Sequence, residues 1–433
     1  MGIAPKKVIS NPHPPPGSSA ADPTSREAKR KLPFLPQRLT ARKALGLAVL
    51  SAGIATGAAW GVTASSAHSP AGTAAGSPAD IAGGKPAVTA AGTAPAVQVS
   101  GNKLVTASGQ PIVLHGVDRS GTEFACVQGH GIFDGPSDRA SIDVMKTYGI
   151  NAVRVPLNEA CWNGDQYAAP TSSGTRYRHA VEEYVRRLND SGIVAVLDLH
   201  WTDGQYTGPA SACSSAKAVC QKPMPDSAGA IPFWKSVAGV FGGNDAVIFD
   251  LFNEPYPEQA AQAAQGNQVD GWQCWLHGGN CPGISYQVAG MQSMVDAVRS
   301  TGANNVLMLG GLTWSNDLTG WLAHEPVDPD HNLAASWHSY NFNACNTTSC
   351  WDSQIAPVIA KVPLIAGEIG ENDCAASYIT SLTAWLDSKS ASYLAWTWNS
   401  DFNCASGPGL ITNYNGHPTP FGAGYEAVLR QHH

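Results

Sequence analysis

No two cysteines in the sequence are separated by just two residues, although there are ten of them. The Cys-x-x-Cys spacing typical of protein zinc sites is therefore missing, and the cysteines read as disulfides of an exported protein. Cys213/Cys220, Cys274/Cys281 and Cys345/Cys350 are close enough in sequence to close small loops. For the remaining four we expect the longer bridges Cys126–Cys161 and Cys374–Cys404. Internal repeats are absent as well, and no second globular module is expected. Positive charge is scarce beyond the N-terminus: Met1 to Lys43 holds nine of the 26 Lys/Arg and two of the 33 Asp/Glu, leaving 17 against 31. An acidic body disfavours nucleic acid, anionic membrane surface and other polyanions as partners and suits a neutral substrate.

Charge is missing altogether from Ala44 to Val62, a run preceded by Arg38, Arg42 and Lys43 and followed by Ser65-Ser66-Ala67. A basic flank, an apolar centre and a small-residue exit describe an export signal behind a long leader. Left uncleaved, the 19 residues are also enough to span a bilayer with the N-terminus cytoplasmic. We expect cleavage and secretion, with anchoring by Ala44–Val62 as the alternative. From about His68 to Val97 the chain is almost wholly Ala, Gly, Thr, Ser, Pro and Val, with no aromatic residue. Such a segment buries too little apolar area to offset chain entropy and reads as a tether. The expected organisation is a leader with signal or anchor (1–67), a linker (68–97) and one catalytic domain (98–433).

What the body does contain is short β-rich runs alternating with helix-like stretches. Strands are predicted at Ile112–Val117, Ala152–Pro156, Val194–His200, Val247–Asn253, Asn305–Leu309, Leu333–Ser339, Leu364–Glu368 and Tyr393–Asn399. Several are wall-to-wall hydrophobic, as parallel strands buried on both faces are. Between them, Arg176–Ser191 places Tyr177, Val181, Tyr184, Val185 and Leu188 on one helical face, and Val288–Ser300 repeats the pattern. Eight strands with intervening helices predict an α/β fold, the (β/α)8 or TIM barrel. A hairpin over Asn102–Pro111 is placed to close its floor.

In such a barrel the C-terminal strand ends form the active face. The fourth run, VIFDLF, ends in Asn253-Glu254-Pro255, and the seventh, VPLIAGE, ends in Glu368 with Gly367 removing bulk beside it. Two glutamates on two strands of one face are what glycosidic hydrolysis requires: a protonated carboxyl at the leaving oxygen and a carboxylate at the anomeric carbon. Arg154, His200, Trp201, His338, Tyr340 and Trp398 end other runs. Each alone reads more readily as core packing or a satisfied polar group. Their clustering on one face points to a site.

These motifs, VRVP around Arg154, LDLH at His200, FNEP with Asn253 and Glu254, WHSY with His338 and Tyr340, GEIG with Glu368 and WTWN with Trp398, resemble those of glycoside hydrolase family five. The resemblance spans about Leu104 to Tyr425 and keeps the family's motif order. It implies a retaining mechanism with Glu254 as acid/base and Glu368 as nucleophile. It also implies that Asn253 binds the sugar 2-hydroxyl, that Arg154 and Tyr340 align Glu368, and that His200 and His338 line the cleavage subsite over Trp398 as aromatic floor. Cysteine-bearing insertions at Gly208–Pro225 and Trp272–Pro282, and a long loop over Arg119–Asp134, would shape the groove. Trp201, Trp314 and Trp321 are further stacking candidates, and Glu371 and Asp373 read as loop-anchoring acids.

The function expected is therefore a secreted endo-β-1,4-glucanase acting as a monomer on a polysaccharide or oligosaccharide, without cofactor or catalytic metal. An exo-acting glycosidase or a mannanase of the same family is the alternative, and a sugar-binding barrel without turnover is a third reading. A metal hydrolase using His200, Glu254 and His338 is disfavoured because only His115 stands at the first strand. A stabilising cation far from the glutamates stays compatible with the sequence.

Overall fold

The computed structural model describes residues 94–208, 214–266, 269–405 and 407–432. The leader, the signal or anchor, nearly all of the linker, and Cys213 lie outside the described residues. Eight strands, His115–Asp118 (β1), Ala152–Asn158 (β2), Val194–Trp201 (β3), Val247–Asp250 (β4), Leu307–Gly310 (β5), Leu333–Tyr340 (β6), Leu364–Gly370 (β7) and Ser392–Ala395 (β8), form a closed barrel. Each pairs in parallel with its sequence neighbours, and β8 pairs with β1. All eight predicted strands are present. Two end earlier than expected: β4 leaves the ladder after Asp250 and β8 after Ala395.

Period-two alternation sorts the side chains. Leu114, Ala152, Val194, Val196, Ile248, Val306, Met308, Ala334, Ile365 and Leu394 share one buried cluster that fills the lower barrel. Their neighbours, among them Val153, Ala195, Leu197, Phe249, Leu307, Trp337 and Tyr393, belong to the larger cluster beneath the helices. The antiparallel hairpin Val97–Ser100/Lys103–Thr106 adds Val97 and Leu104 to the inner cluster, so a hairpin does plug the floor, centred earlier than Asn102–Pro111. Helix Thr175–Asp190 buries the five residues predicted for its inner face.

Disulfides Cys126–Cys161, Cys274–Cys281, Cys345–Cys350 and Cys374–Cys404 are formed. Cys220 is disulfide-bonded too, while its expected partner Cys213 is not described. Among the described residues no helix is long and apolar enough to cross a membrane.

Candidate active site

Above the apolar plug the inward positions turn polar. Arg154, on β2, is fully buried beside four carboxyls: Asp118 Oδ1 at 3.0 Å, Asp198 Oδ2 at 3.1 Å, Asp250 Oδ2 at 3.0 Å and Glu368 Oε1 at 2.8 Å. It also donates to Asn253 Oδ1 at 2.8 Å. One guanidinium cannot balance four buried negative charges, so some of these carboxyls retain protons. Burial pushes Asp118 and Asp250 well above the usual carboxylate range and Asp198 up to about 7, against the opposing pull of Arg154. Sequence reasoning missed all three aspartates. The signal was present, since each is the only acidic residue in a buried strand.

Glu368 reaches this layer through an irregularity in β7. Ser336 pairs with Ile365, yet His338 pairs with Glu368, so β7 carries one extra residue between the two. Strict alternation from inward-facing Ile365 would send Glu368 outward; the bulge reverses its parity. Gly367 permits this, because a Cβ there would lie 2.8 Å from Ser336 Oγ and 3.2 Å from His338 Nε2. Both oxygens of Glu368 are engaged by donors, Oε1 by Arg154 and Oε2 by the Tyr340 hydroxyl at 2.6 Å.

Glu254 stands just beyond β4. His338 Nδ1 lies 3.1 Å from its Oε1 and 3.6 Å from Glu368 Oε2. Oxygens of the two glutamates and the His338 nitrogen all fall within 4.8 Å of one another. Burial, and after it the charge of Glu368, holds the Glu254 carboxyl well above the usual range, as suits a proton donor. Desolvation drives both imidazoles the other way, His338 well below its ordinary value and His200 down to about 3, so both are neutral. Because Glu368 already accepts from two donors, the trio reads as an acid pair bridged by a histidine rather than as a cation site.

Backbone and side-chain bonds brace the pair. Asn253 Nδ2 donates to Gln221 Oε1 at 3.1 Å, and Gln221 Nε2 donates to the Glu254 carbonyl at 3.0 Å. Gln221 comes from the insertion after β3 and was not foreseen. Ser315 Oγ donates to the Asn253 carbonyl at 2.9 Å. His200 Nδ1 lies 2.6 Å from Asp198 Oδ2, which orients its ring.

The aromatic residues divide. Trp398 is 1 % exposed, packed edge-on against Tyr148 with centroids 4.8 Å apart, so it cannot be the floor of a sugar subsite. Trp396, two residues earlier, is half-buried and stacks on His200 at 5.4 Å and 14°. Trp321 is likewise buried, donating Nε1 to the Leu309 carbonyl at 3.0 Å. Trp314 is half-buried and stacks on Tyr256 at 4.9 Å in a loop where Thr313, Trp314 and Ser315 all have positive φ. Trp201, half-buried, sits 6.3 Å from Phe124 of the first loop. That loop is anchored by the buried pair Arg119–Asp134 at 3.0 Å, and Asn399 Nδ2 donates to Asp134 at 2.7 Å. Glu371 anchors a helix start by accepting from the Tyr378 amide at 3.0 Å.

Comparison with known proteins agrees with this geometry. The beta-glucanase SdGluc5_26A from Saccharophagus degradans, solved with cellotetraose, has a TM-score of 0.60 at 19% identity, covering 78% of this chain and 94% of that one. The mannanase catalytic domain from Streptomyces sp. SirexAA-E has a TM-score of 0.54 at 21% identity, covering 78% and 90%. Both share the fold. A manganese dependent endoglucanase, Eg5A of Phanerodontia chrysosporium, is 26% identical over 215 residues, 47% of this chain and 44% of that protein. This chain therefore spans less than half the length of that relative. The family model described as cellulase, glycosyl hydrolase family 5, matches residues 105–402. The chain belongs to glycosyl hydrolase family 5.

Proposed function

We propose that this family 5 glycoside hydrolase is a secreted, monomeric enzyme that cleaves β-1,4-glucan internally with retention of configuration. The supporting observation is the approach of the two carboxylates, with oxygens within 4.8 Å. Retaining pairs stand about 5–5.5 Å apart, whereas inverting pairs leave about 6.5–9.5 Å for a water. In this reading Glu254 gives its proton to the glycosidic oxygen as the bond to the anomeric carbon breaks. A Glu368 oxygen attacks that carbon from the other side and forms a glycosyl ester. Glu254, now a carboxylate, takes a proton from water, whose oxygen displaces Glu368 and releases the sugar. Asn253 holds the 2-hydroxyl, Trp396 stacks beneath the ring being cleaved, and neutral His200 and His338 offer uncharged polar edges. Trp201 and Trp314 are placed to stack on sugars farther along the groove.

The glucan assignment draws on the resemblance to an endoglucanase and on the fold shared with a beta-glucanase. The mannanase fold relative supports β-mannan as a second reading. The deciding experiment is reducing-sugar release and viscosity loss on carboxymethyl-cellulose, mixed-linkage glucan, glucomannan and xylan, with Glu368→Gln as blank. Rapid viscosity loss on a β-1,4-glucan with the β-anomer formed first supports the proposal. Preference for mannan, activity confined to aryl glycosides, or first formation of the α-anomer refutes it.

A further inference from the structure

A second convergence of ligand-type side chains lies at the opposite end of the barrel from the glutamates. His115 opens β1, at the end remote from Asp118 and the active face. Its ring points outward against Tyr393 of β8 at 4.6 Å and lies 4.0 Å from the ring of His432. Asp387, near the end of helix Ser377–Lys389, faces both: Oδ1 is 3.6 Å from His115 Nε2 and Oδ2 is 3.4 Å from His432 Nε2. One donor atom from each residue falls within 4.8 Å of the other two. The Tyr393 hydroxyl lies 3.0 Å from the same His432 nitrogen, a contact that this nitrogen gives up on binding a cation.

An independent observation concerns His115 itself. The residue is 8 % exposed and its Nε2 has no hydrogen-bond partner, since Asp387 stands too far for one. A buried ring nitrogen aimed at a carboxylate and a second imidazole, yet bonded to neither, is an unmet ligand atom. We propose that His115, Asp387 and His432 bind a zinc-type divalent cation. Two imidazole nitrogens and one carboxylate oxygen form a borderline-soft set that suits zinc and disfavours calcium or magnesium, which take oxygen ligands. Zinc bonds of about 2.0–2.2 Å require the donors to draw inward from their present spacing. His432 is exposed and Asp387 half-buried, so both side chains have room to close on the fixed His115. The cation is structural. It ties the last turn, Arg430–His432, to the first barrel strand and to helix Ser377–Lys389 and takes no part in hydrolysis.

The test uses the full chain with disulfides intact, stripped with chelator and then given zinc chloride. One zinc should remain per chain after desalting, with a Tm rise of about 3 °C at a hundredfold excess over the dissociation constant. His432→Ala and Asp387→Asn should each weaken zinc binding at least tenfold, while hydrolysis by the zinc-free variants stays at the wild-type rate. Calcium and magnesium chloride should give no shift. Failure to retain zinc, retention unaltered in both variants, or an equal shift with calcium would overturn the proposal and leave the cluster as a histidine–aspartate ion pair.

Discussion

The Tyr340 hydroxyl donates to Oε2 of Glu368 at 2.6 Å, opposite the Arg154 donation to Oε1 at 2.8 Å. The glutamate is thus fixed in rotation with its face toward Glu254. Tyr340→Phe removes one hydrogen bond to a charged group, worth about 1.5–3 kcal/mol. We expect kcat/KM to fall roughly ten- to hundredfold, with a Tm drop of only a few degrees. Steady-state kinetics with an activated aryl glycoside would check this, and an unchanged rate would show that Arg154 suffices.

Trp396 and Trp398, two residues apart, should respond in opposite ways. Trp396→Ala removes a half-buried ring stacked on His200. It should reduce kcat/KM by tenfold or more with little change in unfolding midpoint. Trp398→Ala empties a core position, and such truncations cost about 3–5 kcal/mol. Denaturant melts beside kinetics separate the two, and a stability loss confined to Trp396→Ala would reverse the assignment.

Gly367→Ala tests the bulge in β7. The added methyl would sit 2.8 Å from Ser336 Oγ and 3.2 Å from His338 Nε2. Ser336 can rotate away, but His338 is held beside both glutamates and must shift. A misplacement of about 1 Å costs about a hundredfold in rate, and the smaller shift needed here sets that as the upper bound. The variant should fold and keep its substrate KM while losing roughly ten- to a hundredfold in kcat; wild-type kcat would mean the site tolerates the displacement.

Glu123, in the loop after β1, is buried, and burial raises its pKa from about 4.5 to about 8 although the Gly121 amide donates to it. The folded chain therefore binds this proton more tightly than the unfolded chain does. Its contribution to stability is greatest below about pH 4.5 and declines as pH rises through about 8. Glu123→Gln keeps an acceptor for Gly121 and cannot ionise. Calorimetry at pH 5 and pH 8 should show a smaller fall in Tm for the variant than for wild type, a difference of up to a few kcal/mol. Equal falls would place the titration elsewhere.

The sequence by itself determined the barrel, the strand carrying each glutamate and four disulfide pairings within the described residues. The strands and the two short disulfide loops depend on local pattern, apolar runs of strand length, helical periodicity and close cysteine spacing, while Cys126–Cys161 and Cys374–Cys404 follow by pairing the cysteines left over. The three aspartates around Arg154 were also legible, each the only acidic residue in a buried strand. Trp396 and Trp398 share the parity of inward-facing Leu394, so the sequence did not separate them; the early end of β8 at Ala395 did. Other features were decided by tertiary structure alone. Glu368 faces inward because β7 gains a residue against both neighbours, and register between strands far apart in sequence is not written in either strand. Gln221 reaches Asn253 across 32 residues of chain. His115, Asp387 and His432 meet only because closure of the barrel sets β8 beside β1 and lays the final turn under both. Parity along one strand is a local property, whereas register and convergence are settled by packing the whole ring of strands at once.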